Sequence, residues 1–228
     1  SRNGVTVGNL ADFTSFSFHA VKNLTTAEGG CATWKHIDGI DDGELYHLYQ
    51  LYSLHGQSKD ALAKTKAGAW EYDIVGPWYK CNMTDIMAAI GLVQLKRYPS
   101  LIQRRYEIVK KYDEAMDAMH IEHIQHVSDV YHSSAHLYMI RIPDISVEQR
   151  NEIITRMAEN GVATNVHYKP LPMMSGYKAY GWDIKDFPNA YHLYHNEITL
   201  PLHTLLSDED VEIVIQTLRS TLEEMKLL

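Results

Sequence analysis

The chain has 228 residues, 45% of them hydrophobic, and a formal net charge of −8 at pH 7. This hydrophobic fraction is enough to bury the core of one large domain or of two small ones. The pI near 5.9 and the absence of any cluster of lysine or arginine argue against nucleic acid as a partner.

The sequence also bears on the compartment. No apolar run approaches the roughly 18 residues that span a bilayer, and the first four residues, Ser1 to Gly4, are not those of a signal peptide. Cys31 and Cys81 match no metal or redox spacing, which favours reduced thiols over a disulfide. We therefore expect a cytoplasmic protein without a membrane partner. Because residue 1 is not Met and a strand-like pattern soon follows, we expect the chain to begin inside a longer protein.

A strand, a reversing loop and a second strand are predicted near the N-terminus. Aromatic and small polar residues alternate over Phe13–His19, which is the period of a strand. Glu28-Gly29-Gly30 then interrupts the pattern before a second strand at Cys31–Trp34. Lys22 therefore lies on the loop that leaves the first strand.

Helices dominate the middle of the chain. Apolar residues recur at helical spacing over Asp41–His55, and residues 56–80 resemble a loop. The segment Asp85–Tyr98 is apolar on nearly every side, which predicts a buried helix at a domain or subunit interface. Pro99 is predicted to end this helix, and a capping pair just after it opens a connecting helix over residues 99–119.

The remaining residues, 120–228, have the pattern of a small α/β unit. The predicted elements are a strand at His136–Ile142, a helix capped by Ser146 and Gln149 and closed by Asn160-Gly161, a strand at Val162–His167, a further strand, and a final helix capped by Ser207.

No metal site is expected. The histidine pairs His132/His136 and His192/His195 are three or four residues apart, but neither is accompanied by a carboxylate or cysteine pattern.

Lys22 is the candidate nucleophile. A nucleophilic lysine needs a desolvated site, because only the neutral amine attacks a carbonyl, and the aromatic strand before Lys22 offers a dry wall. Taken from the residues alone, a solvated or structural role for Lys22 remains open.

Several segments resemble the DegT/DnrJ/EryC1/StrS family of sugar aminotransferases, which use pyridoxal phosphate to aminate nucleotide-linked keto sugars. The resemblance is densest over fourteen residues, SFHAVKNLTTAEGG, from Ser17 to Gly30. The other matching segments are GPWYKCNMTDIMAAIGLVQL (76–95), SAHLYMIR (134–141), NVHYKPLP (165–172) and LPLH (200–203). The resemblance implies an α/β chain that is the C-terminal part of a type I, aspartate aminotransferase-like fold.

The resemblance also implies a domain arrangement. Residues 1–98 correspond to the C-terminal part of the large pyridoxal-phosphate-binding domain, 99–119 to a connecting helix, and 120–228 to the small α/β domain.

Site residues are carried over by position. The family residue that matches Lys22 binds pyridoxal phosphate covalently, and the one that matches Ser17 contacts the phosphate. Lys80 and Asn82 match a segment that reaches the cofactor in the neighbouring subunit. His167 and Tyr168 match a segment that lines the sugar-nucleotide pocket. Structural roles stay open for four of these: a strand hydroxyl for Ser17, loop or helix capping for Lys80 and Asn82, and a hydrogen-bonded strand end for His167.

The expected function is transamination of a nucleotide-linked keto sugar, with glutamate as the amino donor, by a homodimer in surface-polysaccharide or deoxysugar biosynthesis. Lys22 argues against the family's dehydratase branch, which has histidine there. The aspartate that pairs with the cofactor's ring nitrogen is expected upstream, so this chain alone should have little or no activity. The alternative is a non-catalytic fragment or dimerisation module. Ala27 and Trp78 replace family glycines, and Ala27 would be strained if its φ is positive.

Overall fold

The computed structural model describes residues 1–58 and 71–228, and this part of the chain divides into two units, Ser1–Tyr98 and Pro99–Leu228. Residues 59–70 of the predicted loop at 56–80 lie outside the described residues. Within the described ranges, no helix is both long and apolar enough to cross a membrane. The assignment of the two units to a large and a small domain of the family stays a prediction.

The first unit begins with a two-stranded antiparallel sheet. Strands β1 (Phe13–Ser17) and β2 (Gly30–Trp34) pair along their full length, as the alternating pattern predicted. A Cβ atom on Gly30 would lie 2.6 Å from the carbonyl oxygen of Phe16, so only glycine allows this close approach of the strands.

Helix α1 spans Asp42–Ser53, within the predicted range. Asp41 caps it, because its carboxylate accepts a hydrogen bond of 2.9 Å from the Glu44 N–H.

Helix α2 spans Asp85–Ala118 without a break, and the prediction that Pro99 ends it is wrong. An interior proline lacks the N–H that would bond to the carbonyl four residues earlier, at a cost of about 3 kcal/mol. The helix nevertheless continues, because the half that follows Pro99 buries five side chains: Arg105, Ile108, Val109, Tyr112 and Met116.

Much of the first half of α2 is exposed within this chain. Ile86 is 76% exposed, Leu92 64% and Leu95 60%. The periodicity correctly identified a helix without a polar face. The sequence pattern does not show what covers this apolar face. Its predicted place at a domain or subunit interface stays a prediction.

The second unit contains a three-stranded antiparallel sheet, the half of α2 that follows Pro99 and four further helices. The strands, in sheet order, are β3 (Glu122–His123), β4 (Tyr138–Arg141) and β5 (Glu197–Leu200). The helices are α3 (Val147–Glu159), α4 (Ser175–Lys178), α5 (Pro188–Tyr194) and α6 (Asp208–Glu224). The predicted caps at Ser146 and Ser207 are present, and both are capping boxes, with Gln149 and Asp210 as the third helical residues. The capping pair predicted just after Pro99 is wrong, because α2 runs through that position and no new helix begins there.

The predicted strand at Val162–His167 is wrong. Asn165 forms a single bridge with Thr199 of β5, through hydrogen bonds of 3.1 and 2.7 Å. Two residues later the His167 N–H donates to the side chain of Glu197 instead of a strand carbonyl. A side-chain acceptor thus replaces the backbone acceptor that would have extended the ladder.

The core of the second unit is apolar, with a buried guanidinium at its margin. Side chains of α2, β4, α3, β5 and α6 form one hydrophobic cluster, with Ile108, Ile140, Ile153, Ile198 and Leu218 fully buried. Arg105 donates to three carbonyl oxygens, those of Ala135 (3.0 Å), His136 (3.2 Å) and Leu202 (3.1 Å). The charge is therefore solvated by backbone oxygens.

Tyr112 makes stability sensitive to alkaline pH. Its hydroxyl donates to the Pro201 carbonyl oxygen at 2.8 Å, and burial raises the pKa of Tyr112 far above its ordinary value near 10. A raised folded-state pKa stabilises the fold below the unfolded-state value, and this contribution falls as pH rises beyond about 10. Tyr112→Phe should lose about 1 kcal/mol at pH 7 and fall less steeply above pH 10. The free energy of unfolding in urea, measured at pH 7 and above pH 10, tests this. An equal fall with pH in the variant and in the wild type would contradict the prediction. Tyr46→Phe, at an exposed site, is the control.

Ala27 is strained, with a φ of +69° in the loop between β1 and β2. An L-residue with a Cβ is disfavoured in this left-handed region, whereas glycine is not. Ala27→Gly should raise the free energy of unfolding by roughly 0.5 to 1 kcal/mol. The matched control is Ala89→Gly in the exposed part of α2, which should lower it by a similar amount because glycine destabilises a helix. A loss of stability in both variants would show that the strain is absent.

Candidate active site

The loop that carries Lys22 is closed at Phe18. The Phe18 N–H donates to the Gly29 carbonyl oxygen at 2.8 Å, and the Phe18 carbonyl oxygen accepts from the Thr26 N–H at 2.9 Å. The Thr25 hydroxyl donates a second hydrogen bond to that oxygen, at 3.1 Å. One residue thus ties both sides of the loop together, and Lys22 lies between them.

Thr26 anchors this loop to the rest of the first unit. It is fully buried, and its hydroxyl donates to the Glu28 carbonyl oxygen at 2.7 Å. A Cβ on Gly29 would lie 2.5 Å from the Thr26 hydroxyl oxygen, and one on Gly91 would lie 3.0 Å from the Thr26 methyl group. The two glycines therefore let the loop and α2 close around Thr26. Sequence reasoning missed this residue, although two adjacent threonines before a reversal are a turn signal.

Lys22 itself is half-buried at the turn of the loop. Its N–H donates to the His19 carbonyl oxygen at 2.9 Å, which turns the chain just before the lysine. Across the loop, the His19 ring lies 3.6 Å from the Glu28 carboxylate. The backbone at Lys22 is held by the loop on both sides.

Ser17 is the last residue of β1 and is exposed. Its hydroxyl oxygen accepts a hydrogen bond from the His19 N–H at 3.3 Å. Because that bond uses a lone pair, the hydroxyl proton remains able to donate to an anion. The alternative structural role for Ser17 was a hydrogen bond to a neighbouring strand. The hydrogen bond observed here instead joins Ser17 to a residue two positions later in the chain.

Lys80 and Asn82 are brought together. The Lys80 ammonium donates to the Asn82 side-chain oxygen, and both side chains are exposed. Their segment is tied to the end of α1 by two backbone hydrogen bonds of 2.7 Å, from His55 N–H to the Tyr79 oxygen and from Cys81 N–H to the Ser53 oxygen.

The structure also shows what Trp78 contacts and which residue caps α2. Trp78 packs edge-on against Tyr52 of α1, with 4.5 Å between ring centroids, so it belongs to the packing of its own unit. Thr84, rather than Asn82, caps α2, because its hydroxyl accepts from the Met87 N–H at 3.4 Å. Met83, between them, would be 2.7 Å from a Cβ on Gly29, which links the segment to the Lys22 loop.

In the second unit, His167 is held by β5. Its N–H donates to Glu197 Oε2 at 2.9 Å, and its Nδ1 lies 2.8 Å from Thr199 Oγ1. The Thr199 hydroxyl in turn donates to Glu197 Oε1 at 2.5 Å. Tyr168 is 67% exposed and its ring meets that of His167 edge-on, 4.6 Å between centroids.

Sequence reasoning missed Glu197 and Thr199, which are 4% and 5% exposed. A glutamate directly before the apolar residues Ile198 and Leu200 was the available signal, because a buried carboxylate needs hydrogen-bond donors. Arg150 of α3 holds the same strand, since its guanidinium donates to the Glu197 carbonyl oxygen at 3.2 Å and lies over the Tyr194 ring.

Metal ligation has no support in the described parts of the chain. No group of three or more His, Cys, Asp or Glu side chains within residues 1–58 and 71–228 is arranged to hold a metal ion.

Comparison with known sequences identifies relatives. The profile of the DegT/DnrJ/EryC1/StrS aminotransferase family matches residues 1–219. The chain is 38% identical to the spore coat polysaccharide biosynthesis protein SpsC of Bacillus subtilis, over 93% of this chain and 54% of the relative. It is 33% identical to the UDP-4-amino-4,6-dideoxy-N-acetyl-beta-L-altrosamine transaminase of Campylobacter jejuni, over 96% and 55%. The chain spans about half the length of the curated relatives it matches.

Solved structures have the same fold, which confirms the predicted fold class. The putative sugar aminotransferase Spr1654 from Streptococcus pneumoniae, in its PMP form, superposes with a TM-score of 0.94 at 56% identity, over 100% of this chain and 56% of that one. Its PLP form gives 0.91 at 54% identity, over 100% and 55%. Helicobacter pylori PseC, an aminotransferase of pseudoaminic acid biosynthesis, gives 0.81 at 29% identity, over 98% and 57%. The chain belongs to the DegT/DnrJ/EryC1/StrS family, whose members are pyridoxal-phosphate-dependent sugar aminotransferases.

Proposed function

We propose that the protein transfers an amino group to a nucleotide-linked keto sugar, with Lys22 as the residue that carries pyridoxal phosphate. The observation that carries this proposal is the Lys22 loop, which is closed at Phe18 and packed around buried Thr26. A loop that is fixed at both ends holds the Lys22 amine in a defined position. The amine needs such a position because it has to react with one carbon atom of the cofactor.

The residues of the first unit fit the chemistry of the cofactor. Pyridoxal phosphate supplies an aldehyde and, once bound, an electron sink for the substrate's electrons. Lys22 would hold the cofactor through its amine, by a bond to the aldehyde carbon that forms with loss of water. Ser17 offers a hydroxyl proton for the phosphate, and Lys80 a positive charge.

Lys22 has a second role as the proton carrier. Once released from the cofactor, the Lys22 amine would be the group that carries a proton from the substrate carbon to the cofactor. Lys22 is itself half-buried, which reduces the access of water to this residue.

We propose that Lys80 and Asn82 serve the site of a second copy in a homodimer, as the family resemblance implies. Their side chains are exposed and joined to each other, so neither is committed to the packing of its own unit. Either one can present a donor to a phosphate.

The proposed substrate class follows the relatives. One matched relative is a transaminase of a UDP-linked amino sugar, and another is a spore coat polysaccharide biosynthesis protein. We therefore propose a nucleotide-linked keto sugar as acceptor, glutamate as donor, His167 and Tyr168 as substrate contacts, and a role in surface-polysaccharide or deoxysugar biosynthesis. The two exposed free thiols, Cys31 and Cys81, fit a cytoplasmic location.

One observation favours an interaction module as the second candidate function. The apolar side chains in the first half of α2 are exposed, as in Ile86 and Leu92, and a face of this kind suits association. An interaction module needs no cofactor bond at Lys22, so the two functions predict different chemistry.

The covalent role of Lys22 is tested by borohydride trapping. The protein, as this chain and as a form extended upstream, is mixed with pyridoxal phosphate, reduced and mapped by peptide mass spectrometry. We expect the adduct on Lys22 in the extended form and its loss in Lys22→Ala. Adducts scattered over surface lysines, or none, would remove the aminotransferase proposal and favour the interaction module. An extended form with the adduct and a short chain without it would show that this chain is inactive alone.

The role of Lys80 is tested by cofactor affinity in the form that gives the Lys22 adduct. Lys80→Met removes a charged donor, so the Kd for pyridoxal phosphate should rise about tenfold or more, as for the loss of a charge-assisted hydrogen bond. Lys96→Met changes an exposed lysine of α2 and should leave Kd unchanged. Absorbance titration measures both. Equal Kd values in the two variants would exclude a phosphate contact at Lys80.

A further inference from the structure

The hydrogen bonds around His167 determine which of its ring nitrogens carries the proton. Nδ1 lies 2.8 Å from the Thr199 hydroxyl oxygen, which lies 2.5 Å from Glu197 Oε1. A carboxylate only accepts, so the single hydroxyl proton of Thr199 is directed to Glu197. The hydroxyl can then only accept from the ring, so Nδ1 must be the donor.

Glu197 is oriented independently of the ring. Its second oxygen, Oε2, accepts the His167 backbone N–H at 2.9 Å, and its side chain is almost fully buried. The carboxylate therefore meets one backbone donor and one hydroxyl donor, and cannot turn away without leaving a buried charge unpaired. The Arg150 bond to the Glu197 carbonyl oxygen fixes the main chain at the same residue.

We infer that Glu197 and Thr199 are positioning residues that hold His167 as the Nδ1-protonated tautomer, leaving Nε2 as a hydrogen-bond acceptor for the sugar nucleotide. This second part rests on the proposed function, whereas the tautomer does not. Within the described residues, no hydrogen bond engages Nε2.

The chemical consequence concerns the kind of group that His167 selects. A neutral ring with a lone pair on Nε2 accepts from a hydroxyl or an N–H, and opposes a phosphate oxygen, which is itself an acceptor. The ligand group at His167 is therefore a sugar hydroxyl, a sugar amide or a base N–H. A site that expects a donor rejects a ligand without one, because a buried polar group is then left unpaired.

The tautomer is tested by NMR on this chain, with ¹⁵N-labelled histidine and His167→Gln to assign the ring signals. We expect a protonated Nδ1 and a lone pair on Nε2. In Glu197→Gln, the amide oxygen keeps the bond to the His167 N–H, so the amide NH₂ faces Thr199. The hydroxyl proton then turns to Nδ1, and the tautomer should invert.

Two further variants separate positioning from folding. Thr199→Ser retains the hydroxyl and should keep the wild-type tautomer, whereas Thr199→Val removes it and should give a mixture. Glu209→Gln, at an exposed glutamate of α6, is the control and should change neither signal. An Nε2-protonated ring in the wild type, or no inversion in Glu197→Gln with the fold intact, would overturn the inference.

The ligand assignment is tested by titrating the same sample with UDP-N-acetylglucosamine and, separately, with UDP. Movement of the Nε2 signal with the sugar nucleotide alone would assign the donor to the sugar, and movement with both would assign it to the base. No movement with either would remove the substrate contact while leaving the tautomer in place. Because none of these readouts uses pyridoxal phosphate, a failed Lys22 adduct would not be confused with a failed His167 assignment.

Discussion

The closure of the loop at Phe18 is the constraint on which the candidate site depends. Both backbone groups of Phe18 are used across the loop, so the chain returns to β2 in one register. Thr26 converts this local closure into a fixed position, because it is buried where Gly29 and Gly91 leave room for it. The position of Lys22 is therefore determined by residues that take no part in the proposed reaction.

In the second unit, a side chain replaces a backbone hydrogen-bond acceptor at the end of a strand pairing. Beyond the bridge between Asn165 and Thr199, the ladder stops because the Glu197 carboxylate takes the His167 N–H. The same carboxylate takes the Thr199 proton and so acts on the ring. The buried Glu197 carboxylate needs hydrogen-bond donors. By accepting them it both ends the strand pairing and orients His167, the candidate substrate contact.

Features set by neighbouring residues were predictable from the sequence. The capping boxes at Ser146 and Ser207 and the pairing of β1 with β2 depend on spacings of a few residues. Pro99 was misread because its local cost is outweighed by side chains buried further along α2, and Val162–His167 because Glu197 lies thirty residues away. Lys22 was found by family resemblance. The roles of Thr26, Glu197 and Thr199 also depend on Gly91 and His167, which are distant in sequence, so the local signals at these residues were not enough to identify them.

Arg105 gives the sheet a connection that does not respond to pH. Its guanidinium binds the carbonyl oxygens of Ala135 and His136, just before β4, and of Leu202, just after β5. Arginine keeps its proton under all conditions in which proteins fold, and carbonyl oxygens do not titrate. The ends of β4 and β5 therefore remain joined when the pH changes. Any effect of pH on this unit must therefore act through other contacts.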